Sequence, residues 1–117
     1  MNIDWNPVIH ILDKLSEGTH SLLELSYMAV HYERPAFLES LLFLADQELV
    51  ELGEWQETLV AISKAAWPLR LRDVFGVDVP DQKLMAETSI DLTKNGEQIL
   101  RLLNVGHPPL SGSGNVL

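Results

Sequence analysis

The residues of this chain that could do chemistry are four histidines, seventeen acids and a serine set between glycines. His10, His20, His31 and His107 raise the question of a metal, since imidazole is a common ligand. No two of them stand three or four residues apart, and no His-Glu-x-x-His spacing occurs. Zinc sites need such spacing to bring ligands onto one helix face. There is no cysteine, so thiolate sites and disulfides are excluded. Gly112-Ser113-Gly114 lacks the flanks of a strained nucleophile turn. The seven glycines form no phosphate-cradling loop. A carboxylate pair for acid–base work could be chosen only arbitrarily among so many acids. The expectation is a protein that is not an enzyme and needs no metal or cofactor.

Charge carries more information. Seventeen acids against eight bases give a net charge of −9. Asp46, Glu48, Glu51, Glu54 and Glu57 follow one another with no base among them. Any one of them reads as a solvated surface acid. Together they make a negative field that suits a basic partner. The bases Lys14, Arg34, Lys64, Arg70, Arg72, Lys83, Lys94 and Arg101 are scattered. Nucleic-acid affinity comes from Lys and Arg at phosphates, so DNA binding requires some of them to converge. Trp55 lies inside the acidic stretch, and tryptophan is enriched at interface hot spots. Trp55 and Trp67 read either as core or as anchors, with Trp55 the candidate anchor and Phe43 a second.

The elements that must position these residues follow from spacing and caps. A length of 117 residues suits one domain, expected over 1–104 with a flexible tail over 105–117. Asn6-Pro7 is expected to open a first helix, with Val8, Ile11, Leu12 and Leu15 inward and Gly18 at its end. Ser21-Leu-Leu-Glu24 is a capping box for a second helix to about His31. Pro35 opens a third, whose face is read as Leu38, Leu41, Leu42 and Ala45, widened by Phe37, Phe43 and Leu44, with Phe43 toward the outside. Leu49 to Gly53 reads as a strand with Glu51 opposite Val50 and Leu52. Glu57 to Trp67 is expected as a helix, with a strand at Thr58–Ile62 as the alternative. Pro68 interrupts it, Leu69 to Phe75 is a short helix, and Val77 to Gln82 is a loop. Glu87 to Leu92 reads as a strand, and Thr93 caps a last helix with Ile99, Leu100, Leu102 and Leu103 inward.

Two pieces of this order resemble a known family. Leu41-Leu-Phe-Leu-Ala-Asp-Gln-Glu-Leu-Val-Glu-Leu52 looks like the passage from third helix to first wing strand of a winged helix-turn-helix domain. Ile90-Asp-Leu-Thr-Lys-Asn-Gly-Glu-Gln-Ile-Leu100 resembles that family's exit into the closing helix, where Leu-Thr-x-x-Gly is common. The resemblance covers roughly residues 6–104. It implies a mainly α, α+β winged helix-turn-helix fold: three N-terminal helices, a two-stranded wing holding an inserted helical segment, and a closing helix. The chain departs from the family at Glu48, where Gly is usual, in the long connection 54–87, and in a third helix poor in polar and basic residues.

Two functions are carried forward. The first is an acidic protein-binding module, such as an inhibitor, an immunity or antitoxin-like factor or an adaptor. It would bind a basic protein through Glu48, Glu51, Glu54, Trp55, Glu57 and Phe43. The alternative is a dimeric DNA-binding transcriptional regulator with Arg34, Arg70 and Arg72 on phosphates. The apolar surplus of the third helix makes a homodimer an expectation under both. No run is long enough to span a membrane, and Met1 to Trp5 carries no signal-peptide pattern, so a soluble cytoplasmic protein is expected.

Overall fold

The computed structural model describes residues 3–105. The expected tail, with His107 and Gly112-Ser113-Gly114, lies outside the described residues except for Val105.

Helix α1 spans Trp5–Leu15. Its N-cap is Asp4 rather than Asn6: the Asp4 carboxylate accepts the Asn6 amide at 3.1 Å. Pro7 then falls inside the first turn, where a missing N–H costs nothing. Val8, Ile11, Leu12 and Leu15 are buried, as their spacing requires. Gly18 has a φ of 131°, which only glycine adopts readily. A two-residue strand β1, His20–Ser21, follows and was not expected. Ser21 also caps α2, Leu22–Ala29, in a complete box with Glu24.

Helix α3 spans Arg34–Asp46 with Pro35 in its first turn. Its buried face is Phe37, Ser40, Leu41, Leu44 and Ala45. Leu38 and Leu42, expected at the centre of that face, are only half-buried. The rotation has a cause in α4, Trp67–Phe75, which covers a second side of α3 while α1 covers the first. Phe75 meets Phe37 with ring centroids 5.3 Å apart. The segment after Trp55 therefore covers the third helix.

The sheet holds four antiparallel strands in the order β1-β4-β2-β3, where β2 is Val50–Trp55, β3 is Leu59–Ala61 and β4 is Thr88–Leu92. The expected wing had only β2 and β4. Thr58–Ile62 resolves as the strand alternative and not as the expected helix, because β2 offers it a free edge to pair with. Pro68 opens α4 instead of interrupting a helix. A further short helix, α5, Gln82–Glu87, is capped by Asp81 and takes the place of the end of the loop and the start of the expected strand. The closing helix α6 spans Lys94–Val105, with Leu100 and Leu103 packed on the core and Ile99 and Leu102 exposed, against expectation. No helix among the described residues is long and apolar enough to cross a membrane.

One junction ties these parts together. At the end of α3 the Glu48 amide donates to Ala45 O at 3.0 Å and the Leu49 amide to Leu44 O at 2.9 Å. This closes the helix with a residue in the left-handed region, a place usually held by Gly. Here it is Glu48, with φ 56°. Thr93 holds the same turn: its hydroxyl donates to Glu48 O at 2.5 Å and its amide to Leu49 O at 3.1 Å. The Thr93 hydroxyl also accepts the Gly96 amide at 3.0 Å, capping α6. Gly96 lies so close that a Cβ there would stand 2.0 Å from Leu49 O. The Leu-Thr-x-x-Gly pattern thus has a physical reason in this chain.

Two substitutions test this junction by urea denaturation. Gly96→Ala should cost about 3 kcal/mol, since backbone must move to admit a methyl group. Glu48→Gly should raise stability by roughly 0.5–1 kcal/mol, through relief of the left-handed conformation net of added chain entropy.

Candidate protein-binding surface

The hairpin of β2 and β3 gathers most of the acids with Trp55. Side chains alternate along β2, so Val50, Leu52 and Glu54 share the inner face and Glu51, Gly53 and Trp55 the outer one. Register then fixes the neighbours. Trp55 stands opposite Leu59, Gly53 opposite Ala61 and Ser89, and Glu51 opposite Asp91. Trp55 is 48% exposed and Leu59 45%. They form an apolar cross-strand pair on the outer face. Gly53 leaves room beside them, since a Cβ would stand 2.8 Å from Ser89 Oγ and 3.0 Å from Leu59 Cδ1 and one or both side chains would have to move.

Beside this pair the outer face holds a depression of about 240 Å³, walled in part by Glu51, Ala61, Ser89 and Asp91. Glu51 and Asp91 are like charges directly opposite each other, which destabilises a sheet. Asp91 accepts from the Thr19 hydroxyl at 2.9 Å, a contact that brings no positive charge. Glu57 lies exposed in the loop that joins β2 to β3.

The other expected site residues are engaged inside the fold. Glu48 pairs with Lys64 at 3.1 Å. Glu54 pairs with Arg70 at 2.8 Å and accepts from Gln56 at 3.2 Å. The hydrogen bond from Arg70 holds the Glu54 carboxyl below its ordinary range, with Gln56 adding to the effect. Phe43 is half-buried, edge-on to Trp5 at 5.5 Å. Trp67 is core, its indole donating to Ile62 O at 2.9 Å.

The three arginines of the alternative do not make one basic face. Arg34 donates to Val77 O and to Asp78, each at 2.7 Å. Arg70 donates to Thr88 Oγ1 at 2.7 Å as well as to Glu54, which turns it toward the sheet. Arg72, two residues further along α4, is exposed on roughly the opposite side of that helix. Among the described residues no three His, Asp or Glu side chains come together as metal ligands. His20 lies buried in β1 with Nδ1 2.7 Å from Gly18 O.

Sequence reasoning missed Leu59 and Asp91. The strand alternative at Thr58–Ile62 was the available signal for Leu59. Nothing local marks Asp91, which reaches Glu51 only through the β2–β4 register.

Among the described residues no strand pairs with the outer edge of β3. The Ile62 amide donates to Leu52 O at 3.1 Å and the Gln56 amide to Thr58 O at 3.0 Å. Hydrogen-bonded pairs alternate in an antiparallel ladder, so Val60 directs its N–H and C=O to β2. Leu59 and Ala61 direct theirs away from the sheet.

Two measurements check the charge arrangement. Glu54 has a lowered pKa in the fold, so its contribution is full above the ordinary 4.5 and is lost as pH falls through the lowered value. Melting temperatures of the wild type and Glu54→Gln should therefore differ at neutral pH and converge in acid. Glu51→Lys should stabilise by roughly 0.2–1 kcal/mol at low salt, by turning a repulsive cross-strand pair into an attractive one.

Comparison with protein-family models, with curated proteins and with solved structures finds no match for this chain.

Proposed function

We propose that this chain is a non-enzymatic protein-binding module that docks a basic partner on its β2–β3 hairpin. The observation that carries this reading is the outer face of the hairpin. There the exposed Trp55–Leu59 pair lies beside Glu51 and Asp91, two opposed carboxylates that form no ion pair among the described residues. A Lys or Arg from a partner would relieve that repulsion while its neighbours cover the tryptophan. The outward main-chain groups of Leu59 and Ala61 favour a partner that adds an extended strand to β3. A second copy of this chain is a poor candidate for that place, since it would bring another net charge of −9 against the same acids.

We read the fold as an atypical winged helix. Support comes from the order α1-β1-α2-α3-β2, then β4 and α6, with β4 paired between β1 and β2. The insert β3-α4-α5 sets it apart, and α4 occupies a side of α3. Three observations weigh against the DNA-binding alternative: that cover, the internal bonds of Arg34 and Arg70, and the opposed directions of Arg70 and Arg72. The cover also takes up the apolar surplus that made a homodimer an expectation.

The test is comparative capture with wild type, Trp55→Ser and Ala61→Pro as baits, read by quantitative mass spectrometry and then by calorimetry on the purified partner. Proline at Ala61 removes an outward N–H and leaves the β2–β3 ladder intact, a change that edge strands tolerate. A basic protein held by wild type should lose about 2 kcal/mol or more, roughly thirty-fold in Kd, with Trp55→Ser. It should also be lost with Ala61→Pro. Equal capture by all three baits would refute the reading, as would salt-sensitive binding of random duplex DNA to the wild type.

A further inference from the structure

A second site shares no residue with the hairpin. A cavity of about 300 Å³ opens between α2, the start of α3 and the end of α4. Phe37, Val74, Phe75 and Met85 line its depth and belong to the core. One wall is Tyr32, stacked on Phe37 with centroids 5.9 Å apart, its hydroxyl 2.7 Å from His10 Nδ1. Apolar side chains also stand at the rim. Val30 is 78% exposed and Val77 40% exposed, and both line the space. Exposed valines lining a preformed apolar cavity add nothing to the core, and they suit an apolar occupant.

One cation stands at the mouth. Arg34 points one guanidinium nitrogen at Val77 O and the other at the Asp78 carboxylate. Asp78 is 90% exposed, so the pair is wet and weakly held. A guanidinium fork recognises planar carboxylates well, and here the Asp78 carboxylate holds one of its two arms.

We infer that this cavity binds a small apolar monocarboxylate. The acid takes the place of Asp78 on Arg34, and its body lies over Phe37, Phe75 and Met85. Single charge is favoured because the chain as a whole repels anions, and among the described residues Arg34 is the one cation that lines the space. The volume is at the small end of ligand pockets, about 300–1,000 Å³, which suits a bicyclic acid better than a long-chain lipid.

The probe is 1-naphthoate, titrated into the full chain and followed by amide NMR shifts and calorimetry, with 1-naphthalenemethanol as the neutral match. Naphthoate should shift the amides of Val30, Arg34 and Val77 and bind at least about tenfold more tightly than the alcohol. Arg34→Met should remove that preference. Asp78→Ala should tighten naphthoate binding by about tenfold, since it deletes the competing carboxylate. That variant is the discriminating arm, because an ion pair that only fastens the loop would leave affinity unchanged or lower it. The inference is overturned by equal affinity for acid and alcohol, by an unchanged or weaker Asp78→Ala, or by no shift at millimolar naphthoate.

Discussion

The contact between Gly96 and the carbonyl of Leu49 is the constraint on which the rest of this structure depends. No Cβ fits between them. The contact brings the start of α6 against the turn that ends α3, and Thr93 bonds both sides of that turn. The amide of Thr93 on Leu49 O continues the β2–β4 ladder by one more rung. Register follows from it, and a shift of one residue would exchange the two faces of β2. Because register is held, Val50 and Leu52 enter the core, Glu51 meets Asp91, and Trp55 stands outside to meet Leu59.

The insert after Trp55 changes what the third helix can do. An almost wholly apolar helix must be covered on more than one side. Here α1 and α4 do so, with Phe75 against Phe37 and Trp67 buried. Two arginines of the DNA-binding alternative serve the insert: Arg70 joins α4 to Glu54 and Thr88, and Arg34 holds the chain just after α4. Among the described residues, what remains unpartnered is the outer face of the hairpin, with Glu51 and Asp91, and the edge of β3.

Much of the α-helical part is legible in the sequence, because local chemistry decides it. The Ser21–Glu24 box, the heptad-like spacing of α1, Pro35 and the Thr93 cap each act within a turn of helix. The face of α3 was misread because its apolar residues surround it, and periodicity cannot choose a side that a distant helix selects. Residues 57–67 mix helix formers with β-branched ones, and pairing with β2 settles them, not propensity. Strand β1 and helix α5 are too short to leave a pattern. At the site, the acidic run is visible as a run, yet Lys64 and Arg70 remove Glu48 and Glu54 from it. Asp91 enters from the far strand. Trp55 was legible as a candidate anchor from its acidic neighbours, whereas the exposed Leu59 comes beside it only through cross-strand register.

The open edge beside Trp55 is the central claim, and residue-resolved hydrogen exchange of the free protein tests it most directly. The Val60 amide, bonded to β2, should exchange at least about tenfold more slowly than those of Leu59 and Ala61 at every protein concentration. Protection of Leu59 and Ala61 equal to that of Val60, or protection that grows with concentration, would contradict the account. It would mean that the edge is already occupied, by this chain or by a copy of it, and is not free for a partner.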